Sequence, residues 1–136
     1  MRTIQDYFDR IEASMAAGDA TLARRDPAQA ETIKAKCTEA ALLIASYNLY
    51  VHRAVFEPLM DSPDAAVRKR VCLLKAECIA VTEDLREGVK ALAARETPID
   101  FDALSARVEM FNARVRRHIA SVVDLLGSPG GLRIAA

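Results

Sequence analysis

The sequence predicts an all-α protein that folds as an antiparallel, up-down four-helix bundle. Two observations carry this prediction. Apolar residues recur in alternating steps of three and four through every long segment. The five glycines and five prolines fall almost entirely where that period breaks. No apolar run alternates with period two, so a sheet is not expected.

The first two predicted helices differ in length. The first begins at Thr3, with Asp6 as its capping partner, and is expected to end at Gly18. Its roughly 15 residues would span only ~22 Å. The second is capped by Asp26, runs to about Met60, and with roughly 34 residues would span ~50 Å. A short first helix is therefore expected to leave the bundle uncovered near His52. Another subunit is expected to cover the apolar edge there, which consists of Leu49, Phe56, Leu59 and Met60.

The last two helices begin at similar signals. Ser62 is expected to cap the third helix, with Pro63 at its first position, where a missing N–H costs nothing. The fourth begins at Asp100 and ends where glycine and proline follow Leu126. Residues 1–127 are therefore predicted to form one domain, and residues 128–136 a flexible C-terminal tail.

Each of the last three helices has an apolar stripe that should face the core. In the second helix the stripe is Ile33, Cys37, Ala40, Ile44, Tyr47 or Asn48, Val51 or His52, and Val55. In the third it is Val67, Val71, Leu74, Cys78, Val81, Leu85, Val89 and Leu92. In the fourth it is Leu104, Val108, Phe111, Val115, His118, Val122 and Leu125.

Composition narrows the range of partners and compartments. The 136 residues include 19 basic and 19 acidic side chains, so no net charge attracts nucleic acid or an anionic membrane. The N-terminal segment has acids from Asp6 onward and no continuous apolar block, which predicts neither a signal peptide nor a membrane span. Three cysteines in apolar helical pattern indicate reduced thiols and a cytoplasmic location.

Five residues are predicted to form an inner polar layer. Helices joined by a short turn run antiparallel, so residues equidistant from the turn lie side by side. This places Asn48, Cys78 and His118 at one level and His52 about one turn away, ~5 Å along the axis. Glu77 flanks the core stripe and is the only nearby carboxylate that could reach inward.

Two interpretations of this layer stay open. Each residue could be a core polar group with a single hydrogen-bond partner. Alternatively, imidazole and thiolate could bind zinc or iron, although a di-iron carboxylate site needs several inward acids that this spacing does not supply. We expect no cofactor, with iron or zinc as the alternative.

Three segments carry a family resemblance. "LIASYNLYVHRAVFEPLM", "LLKAECIAVTEDL" and "MFNARVRRHIASVVDLLG" resemble the hemerythrin-like cation-binding helical domains over residues 40–127. The resemblance implies the bundle fold. It also places Asn48 where the family has a histidine, and His52 where it has a glutamate. His118 stands at a family histidine, but Val122 replaces the glutamate that follows it.

The resemblance therefore favours the fold over the activity. Glu77 and Cys78 stand where the third helix would supply Glu-His, and the first helix has no histidine. We expect a bundle without the di-iron site that acts as a homodimeric interaction or small-ligand-binding module, with a protein partner as a further option. No catalytic spacing indicates an enzyme.

Two alternatives remain. One is a metal-binding protein for oxygen or iron with a reduced His/Cys ligand set. The other is a histidine phosphotransfer bundle, which is disfavoured because Lys-Gly does not follow either histidine at the usual spacing.

Overall fold

Four helices make up most of the described chain. The computed structural model describes residues 3–127. Helix α1 is Ile4–Ala23, α3 is Ala65–Ala93 and α4 is Phe101–Leu126. Helix α2 consists of α-helical Ala30–Val51, a π-helical turn His52–Phe56 and α-helical Glu57–Met60, after a 3₁₀ turn at Pro27–Gln29. Residues 3–127 contain no strand, which confirms the all-helical prediction. The predicted tail, residues 128–136, lies outside the described residues.

Each helix packs against two others. Helix α1 contacts α2, α2 contacts α3, α3 contacts α4, and α4 returns to contact α1. Exposed ion pairs join helices around the outside, including Arg70 to Asp124 at 2.7 Å and Arg116 to Glu12 at 2.9 Å. Such exposed pairs contribute little stability individually. Burial of the apolar stripes therefore holds the four helices together.

The predicted cap of the first helix forms as a reciprocal pair. The Thr3 hydroxyl accepts from the Asp6 backbone N–H at 3.3 Å, and the Asp6 carboxylate accepts from the Thr3 N–H at 2.8 Å. Asp100 caps α4 as predicted, because its carboxylate accepts from the Ala103 N–H at 3.1 Å. These caps satisfy amides that have no partner within the helix.

The predicted end of the first helix was wrong. Helix α1 continues through Gly18 to Ala23, and its 20 residues span ~30 Å. Glycine inside a helix costs about 1 kcal/mol relative to alanine, but the next turn gains tertiary contacts. Asp19 accepts a hydrogen bond from the Asn112 amide at 3.1 Å, and the backbone leaves the helix only near Arg25, at φ 51°.

The end of the bundle that was expected to be uncovered is largely closed. Phe56 and Leu59 are 0% and 3% exposed, whereas Leu49 is 71% exposed. Tyr7 of α1 packs on Tyr50 with ring centroids 4.9 Å apart. The first helix therefore reaches close to the π-helical turn, and the apolar edge predicted around Phe56 lies inside the protein.

The predicted cap of the third helix was also displaced. Asp64, not Ser62, is the N-cap, and its carboxylate accepts from the Ala66 N–H at 2.9 Å. The Ser62 hydroxyl instead accepts from the Asp64 N–H at 3.2 Å. Pro63 disfavours helical backbone at the residue before it, so the helix begins after the proline.

The π-helical turn in α2 has a local cause. Pro58 has no N–H, and its ring would clash with the carbonyl four residues earlier in a regular helix. The chain widens just before it, so that the Glu57 N–H donates to the His52 carbonyl, five residues back. This wide turn carries His52, and its position was not predicted from the apolar period.

The apolar stripes are buried along most of their length. In α3 the exceptions are Leu85 and Val89, and in α4 they are Leu104, Val108 and Phe111, all of which are half-buried. The fully buried centre lies elsewhere and consists of Phe56, Ile11, Leu125, Val51, Val71 and Val122. The half-buried residues gather where α3 ends and α4 begins. The core is consequently less complete at that end of the bundle.

Candidate functional site

The predicted polar layer lies on three helices. Asn48 comes from α2, Glu77 and Cys78 from α3, and His118 from α4. His118 and Cys78 are 3% and 2% exposed because both stand on the core stripes of their helices. Glu77 is half-buried beside its stripe. The helical period thus places polar side chains of α2, α3 and α4 in the interior.

Hydrogen bonds organise the layer into two groups. In one, the His118 Nδ1 is 2.9 Å from a Glu77 carboxylate oxygen, and its Nε2 is 3.0 Å from the Tyr47 hydroxyl. In the other, the Cys78 thiol donates to the Asn48 side-chain oxygen at 3.1 Å. A carboxylate only accepts, so Nδ1 carries the proton, and Nε2 of the neutral ring accepts from Tyr47.

Burial controls the protonation of these groups. Burial lowers the pKa of His118, although the Glu77 hydrogen bond opposes that shift. Burial, assisted by the Glu77 charge, raises the pKa of Cys78 to about 12. Burial likewise raises the pKa of Tyr47. At neutral pH the thiol and phenol are therefore protonated donors, and neither is a ready nucleophile.

His52 stands apart from both groups. Its Nε2 is buried and has no hydrogen-bond partner among residues 3–127. The ring packs edge-on against Phe56 with centroids 5.1 Å apart. Burial is the main cause that lowers the pKa of His52, and the Lys75 charge acts in the same direction. The structure therefore brings together four of the five predicted residues and leaves His52 outside.

Tyr47 is the member of the layer that sequence analysis did not include. It had been considered only as an alternative core position to Asn48, yet it is 2% exposed and bonds His118. A buried tyrosine hydroxyl usually requires a polar partner. Its place on the same stripe as the other inward polar residues was the signal available in the sequence.

The donor set does not fit an oxygen-bridged di-iron centre. Both ring nitrogens of His118 are engaged by protein groups, and Asn48 is engaged by the Cys78 thiol. Val122 is fully buried and offers no donor atom. Within residues 3–127, no group of three or more His, Cys, Asp or Glu side chains is arranged to hold a metal ion.

A second candidate site lies at the less complete end of the core. A cleft of about 470 Å³ runs between α3 and α4, and an inner cavity of about 90 Å³ adjoins it toward α1 and α2. We call the larger space the α3–α4 cleft. Both spaces are lined by Cys37, Leu85, Val108 and Phe111. Together they form an apolar space that can be reached from solvent.

Small residues explain why this space stays open. Gly88, Ala91 and Ala103 line the α3–α4 cleft. A side chain at Gly88 would meet only the Arg107 guanidinium, 3.5 Å from its Cβ. Sequence analysis assigned this region to the core because its stripe is apolar, and it overlooked the small residues beside the stripe.

Cationic side chains lie at the walls of these spaces. Lys36 lines the inner cavity, and Arg95 and Arg107 line the α3–α4 cleft. The one acid among the residues that line either space is Asp84, and it forms an ion pair with Arg114. Burial raises the pKa of the Cys37 thiol, which faces both spaces.

Comparison with protein-family models, curated proteins and solved structures finds no match to this chain. Of the helices within residues 3–127, none combines the length and apolarity that a bilayer crossing requires.

Proposed function

We propose that this chain is a non-catalytic helical bundle that binds a small apolar ligand in the α3–α4 cleft. The cleft itself is the observation that carries the proposal. Its volume of about 470 Å³ falls in the range of ligand pockets, and such pockets are often found between helices of bundles. Stripe residues that would otherwise complete the core form its walls.

The scaffold we propose is an antiparallel, up-down bundle of the hemerythrin-like type that has lost its di-iron site. Contacts between early residues of one helix and late residues of the next support this topology, as in Tyr7 with Tyr50. The pairing of Asn48 with Cys78 and the presence of Val122 at a ligand position support the loss of the metal site. The free thiols of all three cysteines agree with a cytoplasmic location.

The geometry of the polar layer supports a structural rather than a catalytic role. The cavity beside Tyr47, Cys78 and His118 measures about 10 Å³, which is room for one water molecule at most. A substrate could not reach His118 without opening the core. The histidine phosphotransfer alternative is disfavoured as well, because both nitrogens of His118 are bonded and the Nε2 of His52 is buried.

Ligand binding can be located with the cysteines of the chain itself. Cys37 faces the cleft, whereas Cys72 is exposed elsewhere and provides an internal control. We expect the neutral dye Nile red to bind with a Kd in the micromolar range, which is typical of modest apolar burial. Excess decanol should displace the dye and slow alkylation of Cys37 by N-ethylmaleimide, while Cys72 reacts at an unchanged rate.

A filling substitution tests whether the cleft is the site. Gly88→Leu should abolish dye binding because its side chain occupies the cleft, and Gly88→Ala should retain most of it. Both substitutions favour the helix, so neither should lower the Tm. Undiminished binding to a folded Gly88→Leu variant, or no binding to the wild-type protein, would contradict the proposed function.

A further inference from the structure

The charges around the α3–α4 cleft are unbalanced. Arg95 and Arg107 line it, and neither forms an ion pair with an acid among residues 3–127. Asp84 is the one acid on the cleft wall, and Arg114 already neutralises it. The cleft therefore combines apolar walls with two uncompensated guanidinium groups.

The Arg107 guanidinium forms part of the cleft wall. One nitrogen of its guanidinium lies 3.5 Å from the Cβ position of Gly88, so the side chain extends from α4 to the surface of α3. A glycine at that point leaves room beside the guanidinium that a larger residue would fill. Arginine presents donors in a planar fork that matches a carboxylate.

Arg95 adds a second cation just beyond the end of α3. Its backbone carbonyl accepts from the Lys34 ammonium of α2 at 3.4 Å, which ties this segment to a neighbouring helix. Its side chain is exposed and lines the cleft together with Leu92 and Leu104. A ligand with its chain among these apolar residues could place an anionic head near both arginines.

We propose that the ligand of the α3–α4 cleft is an amphipathic monocarboxylate, with its alkyl chain on the apolar walls and its carboxylate held by Arg107 and Arg95. This inference rests on the proposed function and specifies its ligand class. Apolar walls alone would accept alcohols, carboxylates and alkylammonium ions without a preference by charge. The two arginines introduce that preference, because a desolvated like charge is disfavoured and an opposite one is stabilised.

Competition for Nile red by three probes of equal chain length measures the preference. We expect decanoate to bind about tenfold more tightly than decanol, the size of one good charge-assisted contact in a partly exposed site. Decyltrimethylammonium should bind more weakly than decanol. Added salt should reduce the advantage of decanoate without weakening decanol, because screening acts only on the charged head.

Charge-removing variants complete the test. Arg107→Gln should remove most of the advantage of decanoate over decanol, and Arg95→Gln should remove a smaller part of it. Arg86→Gln, an exposed arginine on α3 that does not line the cleft, should leave it unchanged. Equal binding of decanoate and decanol to the wild-type protein would overturn this inference and leave the proposed function standing. Failure of all three probes and the dye would overturn both.

Discussion

Both ring nitrogens of His118 are hydrogen-bonded, whereas the Nε2 of His52 has no hydrogen-bond partner in the described part of the chain. Glu77 accepts from the Nδ1 of His118, and Tyr47 donates to its Nε2. The Nε2 of His52 has no partner among residues 3–127, and its ring rests on Phe56. A buried ring nitrogen without a partner costs roughly 1–3 kcal/mol. The surrounding apolar contacts must offset that cost.

The two histidines should make the protein less stable in mild acid. Burial is the leading cause that lowers the pKa of both rings from the ordinary 6.5. Below that value the unfolded chain binds more protons than the folded one, so the free energy of unfolding falls as pH drops toward the folded pKa values. Above pH 6.5 the two neutral histidines keep their full contribution to the free energy of unfolding. Urea unfolding at about pH 7.5 and about pH 5.5 would measure the change.

Nuclear magnetic resonance titration of the two rings separates a structural role from metal binding. Both midpoints should lie below 6.5, and one equivalent of zinc or ferrous iron should not move them. A shift of both rings at one equivalent that His52→Ala abolishes would establish a reduced Cys/His metal site instead. Midpoints at or above 6.5 would contradict the pH prediction.

Helix ends show how tertiary contacts alter local signals. Glycine usually marks the end of a helix, but Gly18 lies within α1, because the next turn places Asp19 against Asn112 and buries Leu22. Pro58 also fails to end its helix, but it changes the geometry of the preceding turn. It widens α2 into a π-helical turn without ending the helix, because Leu59 beyond it is buried.

The start of α3 gives a test at the level of one element. Asp64→Ala should lower the free energy of unfolding by about 1 kcal/mol, because the Ala66 N–H loses its cap. Ser62→Ala should cost only a few tenths of that, because the Ser62 hydroxyl bonds a turn amide outside the helix. Urea unfolding of the two variants provides the comparison. A larger loss for Ser62→Ala would restore the serine as the functional cap.

The surface of the molecule carries two exposed leucines on helix α2. Leu42 and Leu49 lie seven residues apart on α2, and they are 66% and 71% exposed. That spacing puts both on one face of the helix. Two large apolar side chains that share one exposed face can both be covered by a second copy of the chain. The edge first expected to associate, around Phe56, is buried and cannot serve this role.

We expect a homodimer through the face of α2 that carries Leu42 and Leu49. Light scattering should report a dimer, and Leu49→Asp should shift it toward monomer without loss of helix signal. Met110→Asp provides a matched control, because Met110 is 74% exposed on another helix. Phe56→Asp is expected to unfold the chain instead, since it buries a charge without a partner. A wild-type monomer at all workable concentrations would refute the prediction.

The inward polar layer was partly predictable from sequence. The helical period places Asn48, Cys78 and His118 inward. Their similar distances from the turns between antiparallel helices place them in one region of the bundle. The sequence could not predict that the Nε2 of His52 is left without a partner among residues 3–127, because the regular period gives the side of the helix on which a residue lies but not which side chains reach it. Nor could it pair Tyr47 with His118, which depends on side-chain geometry.

The sequence by itself determined the helical class, the number of helices and the residues of the apolar stripes. These features depend on local spacing, capping and breakers, which act over a few residues. Only the tertiary structure decided where α1 ends, which inward polar groups pair and where the core stays open. Those outcomes depend on how closely helices distant in sequence approach one another. Gly88 and Phe111 illustrate the difference, because the period alone cannot show that they line a cleft.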